Sequence, residues 1–188
     1  MAFDQIWETI HSSRYWGRYP NEHLVRYVCR RAWEPEARFL DLGCGAGGNT
    51  SFLRQEGHQV VALDGSVSAA KRAKGIVADA LQLPFSGQAF DCVVDVVCLA
   101  HNEEPDVRRM IGEIQRVLKP AGKLFSVMPD THCWRGPYQG KGAVLFVNGP
   151  KIWDLFSGFD FGLELNRARF SDGPHWLDHW LISGTKRS

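Results

Sequence analysis

Hydrophobic and polar positions change period several times along this chain, and each change predicts an element. Residues 38–42, Arg-Phe-Leu-Asp-Leu, form a short apolar run that stops at Gly43, Gly45, Gly47 and Gly48. Residues 59–64, Gln-Val-Val-Ala-Leu-Asp, repeat the form, residues 76–80 give a shorter copy, and Phe90 to Leu99 is nearly all apolar. Such runs, bounded by turn residues, predict strands covered on both faces. A fifth strand is predicted over Leu124–Met128, after the turn Lys119-Pro120-Ala121-Gly122-Lys123. Helical spacing predicts helices over about 49–56, 66–74 and 105–118. The last opens at Pro105 and puts Val107, Met110, Ile111, Ile114, Val117 and Leu118 on one face. Two further helices, about 3–12 and 21–32, precede the first strand. Residues 150–157 predict another, opened by Pro150. The alternation of Phe161, Leu163 and Leu165, then of Trp176, Trp180 and Ile182, predicts two closing strands, about 160–170 and 176–185, joined by Ser171-Asp172-Gly173-Pro174.

Strands that alternate with helices predict an α/β domain. With 188 residues, 44% hydrophobic and 23% charged, one domain spanning 1–188 has room for a sizeable core. It divides into an aromatic helical lid (1–37), a core (38–128), a loop (129–149) and a closing helix with a strand pair (150–188). The apolar stretch Ala143–Val147 inside the loop fits either a short strand or a flap. The lid carries Phe3, Trp7, Tyr15, Trp16, Tyr19, Tyr27 and Trp33. Between its helices, Ser13 to Pro20 alternates aromatics and arginines with no regular period. That pattern fits either rings plugging a sheet edge or a cover over an active site.

The net charge of +1 sets the composition against a basic nucleic-acid platform. The five cysteines show no metal-type spacing and read as small residues in a reducing compartment, so no metal is expected. No run is long enough to span a bilayer and the first residues do not have the form of a signal peptide, so the expected location is cytoplasmic, with no membrane partner.

Gly43, Gly45 and Gly48 fit the spacing of a dinucleotide-binding turn, and Asp64 lies about where the ribose acid of that motif belongs. Asp41, two residues before the first glycine, argues otherwise. A carboxylate beside the turn would repel a pyrophosphate and suit a cationic ligand. Asp-Leu-Gly-Cys-Gly-Ala-Gly (41–47) resembles the first motif of the class I S-adenosylmethionine-dependent methyltransferases. Asp64 ending the second strand, Asp79-Ala80 after the third, Leu83-Pro84-Phe85 before Phe90-Asp91, and Leu-Lys-Pro-x-Gly-Lys over 118–123 follow in that family's order.

The resemblance covers about residues 38–186. It implies a Rossmann-like doubly wound sheet of about seven strands, mostly parallel with an antiparallel C-terminal strand, and helices on both faces. It also implies S-adenosyl-L-methionine as cofactor and direct in-line transfer of its methyl group. Asp41, Gly43, Cys44 and Gly45 would hold the methionine part, Asp64 and Gly65 the ribose, Asp79, Ala80 and Leu81 the adenine, and Leu99 the inner wall. His101, just past the fourth strand, is the candidate base, with packing against the cofactor as the alternative. Tyr15, Trp16, Arg18, Tyr19, His132, Arg135 and Tyr138 are candidates for the acceptor pocket, with Asp130 weaker. His175, Asp178 and His179 read as surface residues.

The acceptor expected is a small molecule methylated on O or N. Arg14, Arg18, Arg135 and Arg167 are compatible with an acidic one. The alternatives are a protein or RNA acceptor, a non-catalytic cofactor-binding subunit, and a nicotinamide-dependent oxidoreductase. The third is disfavoured by Asp41 and by Asp79-Ala80. Monomer and homodimer both fit.

Overall fold

A computed structural model describes residues 4–13, 17–140 and 142–187, apart from the side chains of Tyr138 and Asp172. Phe3, Arg14, Tyr15 and Trp16 lie outside the described residues. Helices α1 (Ile6–Ser13) and α2 (Glu22–Cys29) precede β1 (Arg38–Leu42). Then come α3 (Gly48–Gln55), β2 (Gln59–Asp64), α4 (Val67–Ala73), β3 (Ile76–Val77) and β4 (Phe90–Val96). The remainder is α5 (Glu104–Val117), β5 (Leu118–Pro129), α6 (Gly149–Phe156), β6 (Phe161–Asp172) and β7 (His175–Lys186).

Among the described residues the strands form one seven-stranded sheet in the order β3-β2-β1-β4-β5-β7-β6. Strands β1 to β5 pair in parallel, whereas β7 runs antiparallel to both β5 and β6. Period-two alternation divides the strand side chains between two cores. Phe39, Cys92, Val94, Phe125 and Val127 meet Leu24, Tyr27 and Val28 of α2 and Leu53 of α3. Leu40, Leu42, Val93, Leu124 and Met128 meet α5 and α6 on the opposite face.

Several boundaries move for physical reasons. β3 is two residues long, and residues 78–80 follow it outside the strand. β4 stops at Val96 rather than Leu99. Val97 there takes φ +69°, a left-handed conformation that a β-branched residue adopts at a cost of about 1–3 kcal/mol. Its N–H is held by Val127 O at 3.0 Å. Leu99–His101 then forms a single tight turn. β5 begins at Leu118, because Lys119 to Gly122 make a bulge inside the strand, where the register against β4 shifts. Ala143–Val147 is neither full strand nor helix: Val147 makes one isolated bridge to Asp130.

The closing pair holds the largest surprise. β7 lies between β5 and β6, so both of its backbone edges are paired. Asp178 is 1% exposed and bound by Arg169 at 2.7 and 2.8 Å, and His179 is 8% exposed and stacked on Phe170. Neither is a surface residue. Burial pulls the His179 imidazole down to about 4.

Candidate active site

The parallel strands bring their C-terminal ends to one edge, where open α/β sheets bind ligands. A cavity of about 370 Å³ opens there, lined by Gly43, Cys44, Gly45, Asp64, Gly65, Asp79, Ala80, Val97, Cys98 and His101. The volume suits a small-molecule site. The N-terminal segment closes over it through Trp7, His11, Gly17, Tyr19 and Asn21, and Asn49, Met110, Asn102 and Pro137 complete the wall.

The glycine turn explains its own sequence. Gly43 takes φ +69°, and a Cβ there would lie 2.5 Å from Cys98 Cβ, so both the backbone angle and the packing require glycine. Five of the turn's N–H groups are already engaged. The N–H groups of Gly43 and Cys44 bond Leu63 O at 2.8 and 3.0 Å, Gly47 bonds Cys44 O at 2.9 Å, and Gly48 bonds Gly17 O at 3.0 Å. Gly45 N–H donates to Asp64 Oδ2 at 2.9 Å. A phosphate cradle needs these groups free. This turn therefore does not offer a pyrophosphate site.

Asp41 strengthens that conclusion and changes its own role. It is 1% exposed, lies off the cavity wall, and accepts a 2.5 Å bond from Thr50 Oγ1 together with the Thr50 N–H. The expected direct contact with a ligand gives way to a brace between β1 and the first turn of α3. Burial pushes its carboxyl up to about 6. Asp64 does face the cavity. Its two oxygens take N–H bonds from Gly45 and Ser66 at 2.9 and 2.8 Å, and each carboxylate oxygen retains acceptor capacity for a ligand hydroxyl. Asp79, also on the wall, orients the turn by accepting Leu81 N–H at 2.9 Å.

Other expected residues fall elsewhere. Leu81 and Leu99 belong to the apolar core beneath the cavity. Leu99 is held there because its N–H donates to buried Asp95 at 2.9 Å. Arg18 is exposed and lies over the Tyr19 ring, off the wall. Arg135 stands over Phe146, also off the wall. His132 pairs with Asp130 at 2.8 Å on the sheet beyond the cavity, and Arg167 joins them at 3.0 Å. The Tyr138 side chain lies outside the described residues, though its neighbour Pro137 reaches the wall.

The lid expected over residues 1–37 meets the cavity through α1, whose Trp7 and His11 were not among the expected site residues. Trp7 meets His101 edge-on with ring centroids 4.4 Å apart, and stacks on His11 at 5.9 Å. Glu8 accepts from Ser66 Oγ and Ser68 Oγ, both at 2.6 Å, which docks α1 on the start of α4. Arg72 of α4 donates to His11 O. In the sequence, only the density of aromatics before β1 hinted at such a cover.

Buried Asp95, which ends β4, was also missed. It accepts from Leu99 N at 2.9 Å and from Ser126 Oγ at 2.5 Å, so it fixes the turn that carries His101. Burial pushes its carboxyl up to about 7. Among the described residues no group of His, Cys, Asp and Glu could hold a metal, and no helix is long and apolar enough to cross a membrane.

The comparisons with known proteins point the same way. Residues 40–126 match the family model described as a methyltransferase domain. A demethylmenaquinone methyltransferase of Clavibacter sepedonicus is 35% identical over 132 residues, which cover 62% of this chain and 53% of that protein. The chain spans about half the length of the curated relatives it matches first. An S-adenosylmethionine-dependent methyltransferase structure from Methanosarcina mazei superposes with a TM-score of 0.73 at 19% identity, covering 85% of this chain and 97% of the other. The 1,6-didemethyltoxoflavin-N1-methyltransferase of Burkholderia thailandensis, solved with 1,6-didemethyltoxoflavin and S-adenosylhomocysteine bound, gives a TM-score of 0.71 at 18% identity over 94% of this chain and 80% of the other. The fold is that of the S-adenosylmethionine-dependent methyltransferases.

Proposed function

We propose that this chain, whose residues 40–126 carry a methyltransferase domain of the class I type, transfers a methyl group from S-adenosyl-L-methionine to a small-molecule acceptor. The observation that carries the reading is the glycine turn. Five of its N–H groups are spent within the fold and a carboxylate braces it from behind, while Asp64 and Asp79 present acceptors to the cavity. That arrangement suits an uncharged adenosine edge and a cationic centre and disfavours a pyrophosphate. When bound, the cofactor supplies a methyl group activated on a sulfonium.

The chain's own residues then have three tasks. Asp64 accepts ribose hydroxyls, with Gly65 leaving room beside it, and Asp79 with the Ala80 backbone meets the adenine. Gly43, Cys44 and Gly45 line the methionine side. Trp7, Tyr19, Met110 and Pro137 wall the acceptor side and exclude water. Holding an acceptor in line can contribute about 7–11 kcal/mol in favourable cases. His101 stands on that wall as the group that takes a proton where the acceptor has to lose one.

The acceptor is an uncharged molecule rather than an acidic one. Among the described residues no lysine or arginine lines the cavity. Arg167 is neutralised by Asp130 and Asp178, and Arg18 and Arg135 lie off the wall. An apolar acceptor is also in keeping with the demethylmenaquinone named for the Clavibacter relative.

Calorimetry with S-adenosylhomocysteine and with NADH tests the cofactor. Binding of the first and none of the second is expected, and the reverse overturns the reading. Incubation with methyl-labelled cofactor and fractionated cell extract then tests the acceptor. Label should enter the small-molecule fraction and be lost with Asp64→Asn. Label in protein or RNA overturns the acceptor class.

A further inference from the structure

We infer that His11, on the helix ahead of the first strand, is a cofactor-binding residue: it takes one ribose hydroxyl opposite Asp64, so that the bound cofactor itself fastens α1 over the cavity. The inference rests on the reading of the cavity as an adenosyl site.

The observations converge on one side chain. His11 lines the cavity and is 4% exposed, and its Nδ1, enclosed in the fold, has no hydrogen-bond partner among the described residues, so a turn of the ring about Cβ–Cγ brings that nitrogen to a ligand hydroxyl at no loss of an existing bond. A buried imidazole nitrogen left without a partner is costly, and polar atoms in that state usually mark a missing partner. His11 shares its surroundings with Asp64, whose charge it feels, and with Arg72 and Glu8. Burial, aided by Arg72, outweighs the two carboxylates and favours the neutral ring. A neutral imidazole carries one donor and one acceptor, which matches a hydroxyl able to give or take a proton.

Asp64 offers acceptors to a vicinal diol and leaves the hydroxyl oxygens in need of a donor. Each of its oxygens already takes one backbone N–H, from Gly45 and from Ser66. A second polar group across the diol supplies that donor, and His11 of α1 reaches the same wall. The connection also runs through the fold. Ser66, which donates its N–H to Asp64, donates its hydroxyl to Glu8, three residues before His11. Ribose, Asp64, Ser66, Glu8 and His11 would then close a ring of contacts that joins α1 to the cofactor.

The test measures binding rather than turnover. Wild type, His11→Phe and His11→Gln are titrated by calorimetry with S-adenosylhomocysteine and with its 2′-deoxy and 3′-deoxy analogues. Phenylalanine keeps the ring against Trp7 and loses the polar contact, and glutamine restores a polar group. The wild type should bind the parent compound and lose about tenfold with each analogue. His11→Phe should bind the parent about tenfold more weakly, and one of the two deoxy analogues should cost it nothing further. His11→Gln should recover part of the affinity.

Equal affinity in His11→Phe and wild type, with both analogue penalties intact, overturns the inference. So does a weaker His11→Phe that keeps both penalties, since His11 would then act by packing alone. No binding of S-adenosylhomocysteine to the wild type overturns the methyltransferase reading and takes this inference with it.

Discussion

The Ser66 hydroxyl donates to the Glu8 carboxylate at 2.6 Å, while the Ser66 backbone N–H donates to Asp64 at 2.8 Å. One residue thus joins the N-terminal helix to the acid on the cavity wall. Ser66 also caps α4 by accepting the Ala69 N–H at 3.1 Å, so its position is fixed from three directions. Ligand affinity and the docking of α1 should therefore change together.

Glu8→Ala tests that link. Hydrogen bonds from Ser66 and Ser68 pull the Glu8 carboxyl down to about 2 from 4.5. A folded value below the unfolded one means that the contribution is present above about pH 4.5 and is lost as pH falls through about 2. At pH 7 the variant should exchange amide hydrogens in residues 6–13 about tenfold faster and bind S-adenosylhomocysteine several-fold more weakly. The global thermal midpoint should barely move, because Glu8 lies near the surface and exposed charge contacts contribute about 1 kcal/mol or less. A midpoint drop of many degrees would assign Glu8 to the core fold instead.

Gly48→Ala separates the cover from the domain. Gly48 begins α3 with ordinary helical angles, so alanine suits the helix there. A Cβ at this place would lie 2.5 Å from Gly17 O and 2.6 Å from Tyr19 O. Segment 17–19 must move, and the 3.0 Å bond from Gly48 N to Gly17 O is disturbed. The variant should melt within a few degrees of wild type while losing about tenfold in S-adenosylhomocysteine affinity. Unchanged affinity would show that segment 17–19 does not shape the site.

The strands up to β4 and the helix α5 were legible because their signals are local. Continuous apolar runs ending in Asp64 and Leu99, and the spacing of Val107, Met110, Ile111 and Ile114, depend on the residues themselves. What was misread depends on partners distant in sequence. Nothing in residues 160–186 says which member of the closing pair meets β5, yet that choice buries Asp178 and His179. Val97 leaves the β4 register through a backbone angle that its side chain disfavours, which no propensity would suggest. The site divides in the same way. Asp64, Asp79 and the glycines carry a motif, whereas His11 and Trp7 reach the cavity only through the angle at which α1 docks on α4.

Asp95→Asn should stabilise the domain, and increasingly so as pH rises. Burial raises the folded carboxyl to about 7 against 3.8. Between those values the folded state holds a proton that the unfolded state has released. Stability therefore falls as pH rises from about 4 to about 7 and stays reduced above. Asparagine keeps the shape, accepts Leu99 N–H through Oδ1, and donates to Ser126 Oγ, with no charge to bury. Denaturant melts at pH 5 and pH 8 should show a larger advantage for the variant at pH 8. A variant less stable than wild type at both values would mean that the charge on Asp95 is itself needed.

His101→Asn decides whether the histidine past β4 is a base. Asp95 sets the turn beneath it through Leu99, and Trp7 meets its ring at 4.4 Å. Both contacts aim the imidazole at the cavity, and both would also serve a residue that merely packs. General-base assistance is worth about 10²–10⁴-fold. With an acceptor whose hydroxyl must be deprotonated, the variant should lose at least about 100-fold in kcat while S-adenosylhomocysteine affinity stays within threefold. The limb of the kcat–pH profile that belongs to the base should vanish with it. A loss below tenfold with an unaltered profile, together with faster amide exchange in α1, would leave His101 as the packing partner of Trp7 and nothing more.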